Sequence, residues 1–245
     1  MAGECAMSKL QAEFVSLDDI QVAYCQHGSG KALILLHGNS GSKAAFKKHQ
    51  LESFADFHTF ALDSRGHGQS RSHDTSLSIS RIADDVIRFC QAMQIQQAYV
   101  VGYSDGGNIA LFLAKKAPGL FPRLIAISPN YLVSGTTDST LQTFNRIYKV
   151  LRFLDRAGLN MKKYVMRFDL MLTDIGISEE ELRSIQTDFR ILYAEADMVK
   201  EEHLVHLAGL IPGSILQKVP GCTHLSILSN PQAIAVMRGW LLEGE

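Results

Sequence analysis

The chain has almost no excess charge of either sign: 24 Lys and Arg stand against 25 Asp and Glu in 245 residues, a formal net charge of −1. Without net basicity there is no overall attraction for a phosphate backbone or an anionic lipid, so neither nucleic acid nor membrane is expected as a partner. Cysteine is scarce. Cys5, Cys25, Cys90 and Cys222 are scattered without C-x-x-C spacing, which argues against a zinc site or a disulfide scaffold and for reduced thiols in a cytosol. Long apolar runs are missing too: stretches such as Ala32 to Leu36 are far too short to span a bilayer, and Met1 to Leu10 lacks the basic flank and apolar stretch of an export signal. A cytoplasmic, non-exported protein is the expectation. There is no internal repeat or low-complexity tract, and the length suits one α/β domain with an insertion better than two full-sized domains.

Strand-like segments do recur, at Glu13 to Leu17, Ile20 to Gln26, Ala32 to Leu36, His58 to Leu62, Ala98 to Val101, Arg123 to Ile127, Phe189 to Tyr193 and Ser214 to Val219. Helical patterns lie mostly between them: Lys43 to Ser53, Ser78 to Met93, Gly107 to Lys116, Lys200 to Leu210 and Pro231 to Leu242, the second carrying Ile79, Ile82, Val86 and Phe89 at helical spacing. Such alternation predicts an α/β fold, a mainly parallel, doubly wound sheet with helices on both faces. Strand signals fade between Asn130 and Asp188. Leu141, Phe144, Ile147, Leu151 and Leu154, then Met161, Tyr164, Val165, Phe168 and Leu172, form helical stripes there. The expected organisation is a core of 1–130 and 189–245 with a helical cap at 131–188. His27-Gly-Ser-Gly-Lys31 has the look of a phosphate loop, but the earlier glycine position holds Cys25 and Lys31 is followed by Ala32, so it reads as a loop between strands.

The chemistry concentrates at Gly102-Tyr103-Ser104-Asp105-Gly106, between an apolar strand and a helical run. A strand-to-helix turn this tight brings the positions two before and two after the serine against neighbouring backbone, where a Cβ would clash, and glycine fills both. Ser104 is therefore the expected nucleophile, raised over a helix N-terminus that favours a developing anion. A serine needs a base and a group to orient it. Asp197 follows the strand Phe189 to Tyr193 and is the expected acid, with Glu195 the competitor two positions nearer the strand; His224, after Val219-Pro-Gly, is the expected base. His203 and His206 lie three apart on a predicted helix, but no third metal ligand is evident, and solvated surface is the expectation for both. No cofactor or metal is called for.

The order Ser104, Asp197, His224 is that of α/β-hydrolases. Together with His37-Gly38-Asn39, Asp63-Ser-Arg-Gly-His-Gly-Gln-Ser70 and Pro220-Gly-Cys-Thr-His224, it resembles the capped α/β-hydrolase superfamily over nearly all of the chain outside the cap. The resemblance implies a cofactor-free Ser-His-Asp hydrolase acting on a small-molecule ester, and a structural turn at Asp63 to Ser70. It places the oxyanion hole at the backbone N–H groups of Asp105 and Asn39, with the Asn39 side chain a possible further donor. Asp105 directly after the serine is similar to the elbow of valacyclovir-hydrolase-like members, where this aspartate helps recognise a substrate amino group; the simpler role is to complement its helix N-terminus. Three readings stay open: a serine esterase for small or medium acyl groups, a hydrolase-fold enzyme of another reaction type (C–C or amide hydrolysis, perhydrolysis), and a small-ligand receptor with a retained triad. The sequence assigns no oligomeric state.

Overall fold

A computed structural model describes residues 11–46, 48–72 and 76–244; Cys5 and the Met1 to Leu10 stretch lie outside them. Nine strands among these residues form one sheet: β1 (Glu13–Ser16), β2 (Ile20–His27), β3 (Lys31–Leu36), β4 (Phe57–Leu62), β5 (Arg71–Ser72), β6 (Ala98–Tyr103), β7 (Arg123–Ile127), β8 (Asp188–Ala196) and β9 (Ile215–Thr223). Their spatial order is β1-β2-β4-β3-β6-β7-β8-β9, with β5 beside β2. β2 runs antiparallel to β1, β4 and β5, and every neighbouring pair from β4 through β9 is parallel.

Central parallel strands buried on both faces read as unbroken apolar runs, and Leu33-Ile34-Leu35-Leu36 of β3 is buried throughout. Ile34 and Leu36 pack with α2 (Ile79–Ala92), α3 (Asp105–Lys116), α6 (Glu179–Arg183) and α7 (Glu201–Leu210); Leu33 and Leu35 pack with α1 (Lys48–Ser53) and α8 (Pro231–Leu242). Helices thus cover both faces, as the alternating pattern predicts. α2 starts where the Ser78 hydroxyl accepts from the Arg81 N–H, and it buries the predicted Ile79, Ile82, Val86 and Phe89. Cys25, Cys90 and Cys222 are buried and unpaired. No helix among the described residues is long and apolar enough to cross a membrane.

Three elements differ from the sequence reading. The helix expected over Lys43 to Ser53 is a 3-10 turn, Lys43–Ala45, followed separately by α1. Its start is held to the neighbouring loop, because the Asp63 carboxylate accepts from the Lys43 N–H at 2.6 Å and from Lys43 Nζ at 2.7 Å. The last strand does not stop at Val219: β9 continues through Pro220-Gly221, with a register irregularity opposite Ala194 to Ala196 and Gly221 at φ 65°. β9 lies at the sheet edge, where a missing N–H is tolerated. Between β7 and β8 come α4 (Asp138–Arg156), α5 (Lys162–Met171) and α6. No residue of α4 is buried and α5 buries only Arg167, whereas Tyr131, Ile177, Leu182 and Ile185 belong to the main core. The segment that packs away from the sheet is therefore α4 and α5, narrower than the expected 131–188.

His203 is a further correction. It is buried and stacked on Tyr131 at 4.8 Å between ring centroids, while His206 stays exposed and pairs with Glu179 at 2.9 Å. Burial, with neighbouring charges a smaller influence, lowers the His203 pKa to about 4 and that of the buried His67 to about 3. Both imidazoles are neutral in the folded chain and charge on unfolding, so stability falls as pH drops through the ordinary histidine range. Between pH 7 and pH 5 each contributes a loss of at most about 2 kcal/mol. His203→Gln is expected to reduce that loss, read from denaturant unfolding at both pH values; an unchanged difference rejects the assignment.

Candidate active site

Because β6, β7, β8 and β9 are parallel neighbours, their carboxyl ends lie side by side on one edge of the sheet. Ser104 follows β6, Ser128 follows β7, Asp197 follows β8 and His224 follows β9, while β3, on the other side of β6, leads to Asn39. The order of strands in the sheet gathers these residues.

Ser104 has φ 55° and ψ −116°, a conformation that costs a residue with a side chain ~1–3 kcal/mol. A Cβ on Gly102 would stand 2.1 Å from the Gly106 carbonyl oxygen, and one on Gly106 would stand 2.2 Å from the Leu36 carbonyl oxygen. Both glycines are obligatory for the contact, as the sterics of the turn predict. The Ser104 N–H donates to Ile127 O at 2.8 Å, and α3 begins at the next residue, leaving the Asp105 N–H without an intrahelical acceptor.

The buried His224 donates through Nδ1 to Asp197 Oδ1 at 2.7 Å. The other donors to Asp197 are the Val199 N–H at 3.1 Å, the Ala194 N–H at 3.0 Å and the Ser128 hydroxyl. Burial alone would raise the Asp197 pKa, but the hydrogen bonds from His224, the Ser128 hydroxyl and the Val199 N–H outweigh it and hold the carboxyl below its usual range. Glu195 is exposed and accepts from the Gly221 N–H at 2.9 Å, a β-bulge contact remote from the role of acid. Tyr103 donates to the His224 carbonyl at 2.8 Å, its ring 5.0 Å from the imidazole. Ser104 and His224 line one cavity of ≈ 30 Å³. No hydrogen bond joins the two side chains, a contact that commonly tightens only with substrate.

Asn39 meets Asp105 through its side chain: Nδ2 donates to Asp105 Oδ2 and to the carbonyl of Arg167 on α5, each at 2.9 Å. Both amide protons are engaged, which corrects the expectation that this side chain could serve an oxyanion. Arg167 in turn donates from its guanidinium to Gly66 O at 3.1 and 2.7 Å. Asp105 is buried in the cavity wall; burial pushes its pKa up, against the opposing pull of Asn39, Asn108 and His224. Asn108 Oδ1 accepts from the Asn130 N–H at 2.7 Å, and Asn130 Nδ2 donates to Thr136 Oγ1 at 3.3 Å, giving a polar wall opposite Phe144, Leu170, Met171 and Met198. Ser128, Tyr103, Asn108 and Arg167 were not singled out by sequence. Ser128 carried the one usable signal, a polar residue directly after a buried strand whose neighbours end in the candidate nucleophile and acid. Asp63, buried under Lys43 and Gln69, stays a structural turn residue.

The family described as the alpha/beta hydrolase fold matches residues 31–154, half of the chain. The chain belongs to the α/β-hydrolase family. This α/β-hydrolase is 28% identical over 215 residues to the dihydrolipoyllysine-residue acetyltransferase component of the acetoin cleaving system of Cupriavidus necator, covering 85% of this chain and 52% of that protein. It thus spans about half the length of that relative. It is 27% identical to the human serine hydrolase BPHL, covering 86% of this chain and 79% of that one. Among solved structures, carboxylesterase CesB of Bacillus subtilis superposes with a TM-score of 0.78 at 20% identity, covering 98% of this chain and 94% of that one.

The strain at Ser104 has a measurable consequence. Ser104→Gly is expected to stabilise the fold by about 1 kcal/mol relative to Ser104→Ala, since only glycine occupies this conformation without strain. Equal unfolding midpoints for the two variants would show that the backbone there is relaxed.

Proposed function

We propose that this α/β-hydrolase is a serine hydrolase that cleaves a small or medium carboxylic ester through an acyl-enzyme intermediate. The observation that carries the reading is the Asp197–His224 hydrogen bond of 2.7 Å, opening on the cavity that Ser104 also lines. With Nδ1–H committed to Asp197, the neutral imidazole presents Nε2 as the base. Ser104 Oγ attacks the ester carbonyl while its proton passes to Nε2, and the tetrahedral oxyanion takes hydrogen bonds from the Asp105 and Asn39 N–H groups. Collapse of that intermediate breaks the C–O bond, and the imidazolium protonates the leaving alkoxide. Water, deprotonated by the same Nε2, then releases the acid and restores the serine. α4 and α5 act as a cap over this cavity.

The test is steady-state hydrolysis of p-nitrophenyl esters from acetate to decanoate, followed past one turnover. Ser104→Ala is expected to abolish sustained turnover, and Asp197→Asn to lower kcat by roughly four orders of magnitude through loss of the correct tautomer. Folded wild type that releases no second equivalent of product would reject the esterase reading in favour of a receptor or another reaction type.

One feature narrows the substrate. The cavity wall contains the carboxylate of Asp105 and no lysine or arginine, which favours an acyl group bearing an ammonium. Amino-acid esters are therefore expected to be preferred over their uncharged counterparts, and Asp105→Asn to erase the preference. The same ratio in both proteins would leave Asp105 only its helix-terminal role.

A further inference from the structure

α4 and α5 present two different faces. Inward, Phe144 of α4 and Leu170 and Met171 of α5 line the cavity. Outward, Ile147, Val150 and Phe153 follow one another at intervals of three along α4 and are 41%, 57% and 70% exposed, and Leu159 and Tyr164 extend the apolar patch around the turn into α5 at 56% and 48%. A soluble helix normally turns its apolar residues to a core, so Ile147, Val150 and Phe153 form an unpartnered stripe, with Leu159 and Tyr164 exposed beyond it.

The charges around the patch are mostly of one sign: from Arg146 to Lys163 six cations stand against one carboxylate, Asp155. Arg146, Lys149, Arg152, Arg156, Lys162 and Lys163 are all exposed, and none forms an ion pair among the described residues. Several surface cations elsewhere are paired with carboxylates, as in Lys115–Glu181, Lys116–Asp84, Lys200–Asp138 and Lys218–Glu201. The near-zero net charge of the whole chain conceals this local cluster. A cleft of ≈ 410 Å³ adjoins it at the start of α5, with Arg71, Lys162, Lys163 and Ser70 around apolar Leu77 and Met166.

We propose that the outer face of the α4–α5 pair docks on an anionic lipid surface. Exposed aromatic and aliphatic side chains interleaved with uncompensated cations on an amphipathic helix are what interfacial binding requires: the apolar residues enter the headgroup boundary while the basic ones meet lipid phosphates and carboxylates. The cleft beside them offers cations to a headgroup and an apolar floor to the adjoining chain. Charge complementarity selects this occupant over a second copy of the chain, whose identical basic face would repel it. Docking so would bring the bilayer against the helices whose inner faces line the cavity.

The test is co-sedimentation of the full chain with sucrose-loaded vesicles of phosphatidylcholine alone or mixed with phosphatidylserine, a binding readout independent of any turnover. Partitioning onto the mixed vesicles is expected to exceed that onto phosphatidylcholine by on the order of tenfold and to weaken as salt rises. Val150→Asp/Phe153→Asp and, separately, Lys149→Glu/Arg152→Glu are each expected to lower it by on the order of tenfold. All four positions are exposed, and circular dichroism checks that the variants fold. Equal partitioning onto both vesicle types, or variants that bind like wild type, would overturn the proposal. So would a lipid-free dimer in light scattering that Val150→Asp/Phe153→Asp dissolves, since the face would then belong to a second copy.

Discussion

The approach of Gly106 to the Leu36 carbonyl is the contact on which the rest of the site depends. It lets α3 start directly over the junction of β3 and β6, and there is no room in that junction for a single carbon atom. Ser104 is held strained above it because the helix that follows is anchored: Ile109, Leu111 and Leu113 are all at most 1% exposed. Strain of this size persists only where surrounding packing over-determines the backbone. The same closeness brings the loop after β3 within side-chain reach of the elbow, so that Asn39 and Asp105 meet through one hydrogen bond.

Asp197 and Asp105 show how burial alone does not decide a carboxylate's state. Both are largely removed from solvent. Asp197 is compensated by donors from three directions, the imidazole of His224, the hydroxyl of Ser128 and two backbone amides, and its proton affinity is depressed. Asp105 is hydrogen-bonded only by neutral side-chain amides, Asn39 and a long contact to Asn108; burial outweighs these and the smaller pull of His224, and its proton affinity rises. Environments that push two carboxylates apart in this way assign them different tasks. Under the proposed function, Asp197 stays ionised to orient the base, while Asp105 gains from any cation that supplies the charge its amide neighbours cannot.

The sheet, the helices on both faces and the positions of Ser104, Asp197 and His224 were legible because each rests on a local pattern: apolar runs, a glycine pair around a serine, polar residues directly after buried strands. What the sequence hid depends on neighbours far away in the chain. Ser128 acquires its role from a strand it does not share with Asp197. His203 shares the buried stripe of α7 with Leu204, Leu207 and Leu210, which His206 does not, but the ring that stacks on it, Tyr131, lies far away in the chain. Pro220-Gly221 looked like the end of a strand because turn composition is local; β9 carries it only because it is an edge. The charge asymmetry of α4 and α5 was invisible to a whole-chain sum, since acidic residues elsewhere cancel it.

The link between the α4–α5 pair and the sheet is thin in energetic terms. Arg167 is buried with no carboxylate partner among the described residues, and burial pulls its pKa down; it rests on the Gly66 carbonyl and offers its own carbonyl to Asn39. Segments with few buried side chains open at a smaller free-energy cost than core elements, and α4 buries none. Ser104 is part-exposed beside a cavity of ≈ 30 Å³, room for about two water molecules, so an outward shift of this pair would widen the approach for an ester. Such a shift would take the Arg167 carbonyl away from Asn39. One Asn39 amide proton would then be free beside Asp105, and the loop after β3 would lose its tie to α5. Access to the serine and the rigidity of the loop facing it are therefore two readings of the same contact.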